Sequence, residues 1–371
     1  MTTARADPQL RVLPPEARAE AARLWQDVER RVGAAGLTAS WLWTGTFLHH
    51  YGAVVPHRFV VAERSGTPVG MALVTDGVGR RHGPIPIATR HLGTAGEPED
   101  ALLFVEYNRL LVAPEDREAF ARSLMALLLR RRWDELHLDG FAPDDAAALL
   151  QHDARFQIRR EPCPTMDLRV AREAGGIVEA LAPGPRARAR RTLRRGAPVS
   201  GEWAETATHA LEILDELVAL HQRRWNAAGA PGAFASGRAV AFHRDLALRL
   251  LARDAAVIYR ARNSAGTLGC VYGFVERGRV LFYQGGMAPS ADGRVATGIL
   301  THLCCMQAAL ERGLDEYDFL AGDQRYKREL SNAERELVWA ALVRRRPRPV
   351  LIAAGRRLRR LWQRAAARRH R

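Results

Sequence analysis

Residues 63–73 read ERSGTPVGMAL and residues 262–274 read RNSAGTLGCVYGF, and the two stretches are one hairpin written twice. In each, a polar turn separates runs of alternating character: RFVVAER (58–64) and PVGMALVT (68–75) in the first half, AVIYRAR (256–262) and LGCVYGFV (268–275) in the second. Runs of this kind around a glycine-bearing turn predict antiparallel strand pairs. The downstream elements repeat as well. A third strand is expected at FVEYNRLLV (104–112) and at VLFYQGGMA (280–288). A helix with apolar residues at helical spacing comes next, over 117–130 and 298–312. A strand opening on Asp-Glu closes each unit, DELHLDG (134–140) and DEYDFLAG (315–322). The shared order points to an internal duplication.

The join falls within residues 160–200. EPCP (161–164) is a breaker, TMDLRV (165–170) a short strand candidate, and LAPGPRARARRTLRRG (181–196) is proline-punctuated and then basic. HALEILDELVALHQRRW (209–225) has the apolar stripe of an amphipathic helix, and 239–253 is similar. The expected fold is α+β, two tandem units each built on a mostly antiparallel sheet flanked by helices. The expected divisions are 1–160, 161–345 and a tail at 346–371.

Hydrophobic residues make up 47% and charged residues 26%, the balance of a folded globular protein. No apolar run reaches membrane-span length, and the N-terminus lacks the apolar stretch of a secretory signal, so a cytoplasmic location is expected. Cys163, Cys270, Cys304 and Cys305 lack metal-ligand spacing, which predicts neither zinc nor a disulfide. The net charge of +15 is local: twelve arginines fall in 344–371 and six in 186–195, with no acidic residue in either segment. Without those eighteen charges the chain stands near −3, which argues against a DNA-binding platform. In the tail, Leu351, Ile352, Leu358, Leu361 and Trp362 recur at helical spacing among arginines; the segment reads either as an amphipathic helix on an anionic membrane or as disordered chain.

The succession of helices, three antiparallel strands, helix and strand resembles the GNAT acyltransferase superfamily. Residues 165–345 resemble the acetyltransferase domain of its cellulose-biosynthesis (CelD-like) type, akin to the paired-GNAT FemAB-like peptidoglycan aminoacyltransferases. The residues that carry the likeness are RARRTLRR (188–195), LHQRRW (220–225), GAFAS (232–236), Phe242-His243 and DFLAGDQRYK (318–327). The resemblance implies tandem GNAT-like units and acetyl-CoA or another acyl-CoA as donor. GNAT enzymes hold the coenzyme pyrophosphate on a Q/R-x-x-G-x-G/A loop; GRVATGIL (293–300) stands there with different glycine spacing, and Arg294, Thr297 and Gly298 are its candidate phosphate contacts. The first half has Pro114-Glu115-Asp116 in that place, so it reads as a degenerate unit, a scaffold or acceptor-side wall.

Lys327 is the only lysine beside 55 arginines. With Tyr326 it follows a strand end. One reading has Tyr326 protonating the leaving thiolate and Lys327 neutralising a phosphate or carboxylate; the other has a packed tyrosine and a surface lysine, and under either Lys327→Arg should leave melting unchanged. Asp323 is a general base or the cap of a helix at 324–332. His221, Arg224 and Trp225 line an acceptor pocket, or His221 is an interior histidine beside a core tryptophan. Gln284, Gly285 and Gly286 sit where a GNAT sheet splays to admit its cofactor, although a β-bulge would also call for glycine.

The function these readings favour is N- or O-acyl transfer from acyl-CoA to an amine or hydroxyl of a small-molecule, polysaccharide or envelope-precursor acceptor, without a covalent enzyme intermediate. One alternative is aminoacyl transfer from charged tRNA, which the arginines of 186–195 would serve. Another is a non-catalytic envelope adaptor docked peripherally at the inner membrane face by its tail.

Overall fold

Both hairpins form, each closed by a two-residue turn. The structure, a computed structural model, describes residues 7–344 apart from 34, 83, 84, 131, 197 and 291–294. Arg64 pairs with Thr67 across Ser65-Gly66, whose φ angles of 50° and 75° are the left-handed pair that matches the twist of the flanking strands. In the second hairpin Asn263 pairs with Gly266, and the Asn263 side-chain oxygen accepts from the Ala265 amide at 2.9 Å. A register shift recurs at the same place in both, between Ala62 and Glu63 and between Ala261 and Arg262. Such a bulge sharpens the local twist.

The chain runs β1 (Gln9–Leu13), α1 (Arg18–Val32), α2 (Trp41–Tyr51), β2 (His57–Arg64), β3 (Thr67–Asp76), β4 (Arg81–His82), β5 (Ile85–Pro86), β6 (Thr89–Leu92), β7 (Leu111–Val112), α3 (Arg117–Arg130), β8 (Glu135–Phe141) and α4 (Pro143–Leu150). It continues β9 (Gln157–Asp167), α5 (Leu168–Glu173), α6 (Pro183–Gly196), β10 (Ser200–Trp203), α7 (Ala207–Ala227), α8 (Gly237–Leu251), β11 (Ala256–Asn263), β12 (Gly266–Glu276), β13 (Arg279–Met287), α9 (Thr297–Glu311), β14 (Glu316–Asp318), α10 (Arg325–Glu329) and β15 (Ala333–Val343). Two units pack internally. One holds the described residues of 1–44, 51–159 and 338–371; the other holds 45–50 and 160–337.

The strands of the two units repeat one order. In the first unit it is β1-β2-β3-β6-β8-β15, with β6 and β8 parallel and the other pairings antiparallel. In the second it is β10-β11-β12-β13-β14-β9, again with one parallel pair, β13 and β14. The fold is therefore α+β with tandem GNAT-like units. The closing strand of each sheet comes from elsewhere in the chain: β9 precedes the rest of its sheet, and β15 returns last of all to pair with β8.

Three sequence expectations need correction. The third strand of the first unit is β6, Thr89–Leu92, and not 104–112, of which only Leu111 and Val112 pair with β3. FVEYNRLLV alternates like a strand, but Tyr107 turns left-handed at φ 56° and ends the run. The next residue is a plug. The Asn108 amide nitrogen of its side chain donates to Leu92 O (3.0 Å) and Asp139 O (3.2 Å), and its backbone N–H to Gly140 O, so the ends of β6 and β8 are tied together by the unit's own chain. TMDLRV is half strand and half helix: β9 ends at Asp167, whose carboxylate accepts from the Arg169 and Val170 amides and caps α5. The helix expected at 324–332 is the shorter α10, with Gln324 at its N-cap position and no side-chain cap, so Asp323 does not cap it; its carboxylate meets Arg328 instead.

Each unit has its own core. Phe120, Leu124, Met125 and Leu128 of α3 pack with Trp133, Leu136 and Leu138 in the first. In the second, α9 buries Leu300, Leu303, Cys305 and Met306 against Val257, Val271 and Val280 of the sheet, so the adjacent cysteines belong to packing. Helix α7 starts at Thr206, whose hydroxyl accepts from the His209 amide, and buries Ala210, Ile213, Leu214, Leu217 and His221, one stripe at helical spacing. Among the described residues no helix is long and apolar enough to cross a membrane. The tail and its expected amphipathic helix lie outside the described residues.

Candidate functional site

The parallel strands β13 and β14 share three register pairs, the last Leu281 with Asp318, and then part. β13 continues to Met287 along β12, with Tyr283 as an extra residue between the pairs Tyr272–Gln284 and Gly273–Phe282. The chain after β14 follows β9 instead: Phe319 N–H donates to Pro164 O and Gly322 N–H to Pro162 O. A bulge on one strand and a different partner for the other separate the two backbones. In the first unit Asn108 ties the equivalent strand ends together.

The segment after β14 is held in a strained turn. Leu320 is left-handed (φ 59°), an uncommon state for a residue with a branched side chain. Asp318, fully buried, accepts from the Leu320 N–H at 2.7 Å. From the other side the Lys327 ammonium donates to Leu320 O (3.2 Å) and Ala321 O (2.7 Å). Lys327 is 6% exposed, so the surface reading of this residue does not hold. Its helix is fixed in turn by Glu329, which accepts from Arg188 of α6 at 2.9 Å and from Arg325 at 2.7 Å.

Tyr326 lies against the same cluster. Its ring stacks on His302 (centroids 5.4 Å, 17°) and meets Phe319 edge-on (6.1 Å). His302, from α9, is within hydrogen-bond reach of the Tyr317 hydroxyl at 3.0 Å. Burial, with the Lys327 charge adding to it, pushes the His302 imidazolium down to about 3, so the ring is neutral at physiological pH. Burial pushes the Tyr326 hydroxyl up to about 12, while the Arg224 charge pulls the other way. Tyr326 thus keeps its proton at neutral pH with a cation nearby. The sequence signals for this support were thin: a histidine in an apolar helix at 302 and an aspartate at 318 in a strand.

His221 has both ring nitrogens in use. Nδ1 lies 3.2 Å from Gly285 O, and Nε2 accepts from the Ala233 amide at 3.2 Å, which fixes a neutral tautomer with the proton on Nδ1. Burial also lowers its pKa. Trp225, one turn on, is 41% exposed with its ring 5.9 Å from His221; Arg224 is exposed. Gln284 is half-buried beside the bulge. Gly286 is small because α7 requires it: a Cβ there would stand 2.4 Å from Leu217 O, whereas at Gly285 it would meet the flexible Met287 Cε at 2.8 Å. Gly286→Ala is therefore expected to destabilise by about 1–3 kcal/mol, the usual result of overpacking, and Gly285→Ala by much less. Equal melting temperatures for the two variants would remove this account.

Helix α9 begins at the far end of β13. The Thr297 hydroxyl donates to Ala288 O at 2.7 Å, tying the first turn to the strand end, and no side chain caps the helix. Amides of a first turn lack intrahelical partners and favour an anion. Gly298 leaves that turn open among the described residues: a Cβ there would meet only Met287 side-chain atoms, at 3.6 and 3.8 Å. Arg294 lies outside the described residues. A separate cavity of about 860 Å³ in this unit, lined by Trp203, Tyr259, Cys304 and Gln307 among others, takes in none of these candidates.

Residues 185–328 match the family described as an acetyltransferase (GNAT) domain. No curated protein matches the chain in sequence. Among solved structures the chain is similar to FemX, at 11% identity over 89% of this chain and 98% of that one, with a TM-score of 0.57. It is also similar to the C-terminal domain of an Agrobacterium fabrum protein provisionally assigned as a lysylphosphatidylglycerol synthetase, at 13% identity, 91% and 96% coverage and a TM-score of 0.54. At such identities the likeness is one of fold.

Proposed function

We propose that the second unit is an acyltransferase that takes an acyl group from a coenzyme A thioester and passes it to an amine or hydroxyl of a saccharide or envelope precursor. The observation that carries the reading is the parting of β13 from β14 in a segment matching an acetyltransferase domain, with the uncapped start of α9 at one end and protonated Tyr326 at the other. Acyl-CoA, when bound, would supply the activated acyl carbon. The Thr297 N–H is spent on Val295 O at 3.0 Å, so the amides of Gly298 and Ile299 would hold the coenzyme pyrophosphate, with Thr297 fixing the turn. Tyr326 would keep a proton on its hydroxyl for the departing sulfur, and the His302 ring would fix its orientation. The acceptor would attack directly; holding both reactants in one geometry supplies much of the acceleration in such transfers.

Calorimetry with acetyl-CoA and longer acyl-CoAs tests this. Binding in the micromolar to millimolar range is expected, and weaker binding in high salt. No heat at millimolar donor would end the acyl-CoA reading.

Aminoacyl transfer from charged tRNA is the second reading. The observation in its favour is that Arg191, Arg194 and Arg195 are exposed on α6, while Arg186, Arg188 and Arg190 hold protein partners. The fold shared with FemX and with the Agrobacterium domain fits this reading as well. Binding to tRNA should then fall steeply with salt, because each phosphate contact releases counterions. A flat salt response, or no binding at low salt, excludes it.

A further inference from the structure

The first unit has a cavity of its own, about 500 Å³, with a charged interior and an apolar lip of Leu102, Phe104 and Trp339. Leu102 and Phe104 are 45% and 49% exposed, unusual for large apolar side chains. Beneath them sits Glu97, 5% exposed, whose Oε1 is buried without a hydrogen-bond partner. Asp139, a second acid inside, is taken. Its Oδ2 lies 2.7 Å from His91 Nδ1, and His91 Nε2 lies 3.1 Å from Thr89 Oγ1. His137 stacks on His91 at 4.9 Å.

Buried polar atoms are nearly always paired, and one left unpaired on a residue that lines a cavity needs a reason. We infer that this cavity is a binding site for a primary amine carrying an apolar or aromatic arm: the ammonium is held by Glu97 Oε1 and the arm lies against Leu102, Phe104 and Trp339. A cationic head suits the site because its charged lining is mostly acidic, Glu97, Glu99, Glu106 and Asp139 against Arg80 and His91. The inference concerns binding alone and stands apart from the transferase reading of the second unit.

Protonation gives the site a signature. Burial pushes the Glu97 carboxyl up to about 8, less the pull of nearby backbone amides, and the Asp139 charge adds to the rise. Burial alone would raise Asp139 too, but its hydrogen bond to His91 and the charges of His91, His137 and Arg80 hold it low. At pH 6–7 Glu97 is therefore protonated in the free protein and ionised beside an ammonium. Binding of an amine must release a proton, and affinity must rise with pH until Glu97 is ionised in the free protein as well.

The probe is benzylamine, with benzyl alcohol and benzoate as isosteres of different charge, titrated calorimetrically into the full chain in buffers of different ionisation heat. Benzylamine should bind at least tenfold more tightly than either isostere, release about one proton at pH 6.5, and gain roughly tenfold in affinity per pH unit between 6 and 7. Glu97→Gln, which keeps the shape, should erase the preference and the pH slope. Equal binding of benzyl alcohol, heat independent of buffer, or no benzylamine binding at tens of millimolar overturns the inference. If the Gln variant fails to fold, the buffer dependence of the parent protein decides alone.

Discussion

Lys327→Met should lower the melting temperature by about 5–10 °C, the shift that about 2–4 kcal/mol produces in a unit of this size. The ammonium is buried and donates to the carbonyls of Leu320 and Ala321. A hydrogen bond from a charged donor contributes about 1.5–3 kcal/mol, and a buried acceptor left unpaired forfeits a comparable amount. Relief of the buried charge offsets part of that loss, hence the intermediate figure. The two carbonyls also flank a left-handed leucine, a conformation that costs about 1–3 kcal/mol and persists only where its surroundings hold it. Lys327→Arg should melt low as well, because a planar fork at the end of a similar stem cannot enter the space of one ammonium among His302, Leu320 and Ala321. Thermal melting of both variants decides the matter. An arginine variant as stable as the parent would mean that the clamp on the turn holds nothing.

That expectation reverses the one drawn from sequence, for a physical reason. AGDQRYKREL was legible as a strand-end loop entering a helix, but helical spacing over so few residues does not say which face is buried. Only the strained turn at Leu320 makes a buried cation useful, and a positive φ at a leucine leaves no mark in a sequence. The duplicated hairpins were legible because alternation and a turn glycine recur together. The third strand of the first unit was not: Thr89–Leu92 has four residues, too few to show a period, whereas 104–112 shows one and is broken by the backbone at Tyr107. Tandem GNAT-like architecture survives both misreadings, since strand order depends on how β6 and β8 pair and not on which segment looks most like a strand.

The expectation that the first unit is degenerate came from a single motif. From sequence it rested on Pro114-Glu115-Asp116 standing where a phosphate loop belongs. In the structure Asn108 bridges the ends of β6 and β8 with side-chain and backbone hydrogen bonds, and Gly140, at φ 61°, lets Val105 O approach to where a Cβ would stand at 2.1 Å. The plug frees the residues just before it to line the cavity that Glu97 faces.

Tyr326→Phe should cut turnover by about 10²–10⁴-fold, the range for loss of a positioned general acid, and leave the melting temperature within about 2 °C of the parent. The ring does the packing, stacked on His302 and edge-on to Phe319, and phenylalanine keeps it. Under the proposed function the hydroxyl supplies the proton. With its pKa near 12 it is protonated throughout the range in which an amine acceptor is nucleophilic, so between pH 7 and 10 the rate should show no alkaline fall from this group. His302, held near 3, should contribute no acid limb above about pH 4, because a group of lowered pKa has lost its proton well before neutrality. Thiol release from acetyl-CoA with a panel of amine and hydroxyl acceptors measures the effect. Donor affinity should stay within about twofold in the same variant, since an interaction made only as the sulfur departs lowers kcat and not ground-state binding. Full turnover in Tyr326→Phe would take the proton away from this residue and leave the parting strands, with Gln284 on their edge, as the place to look for its source.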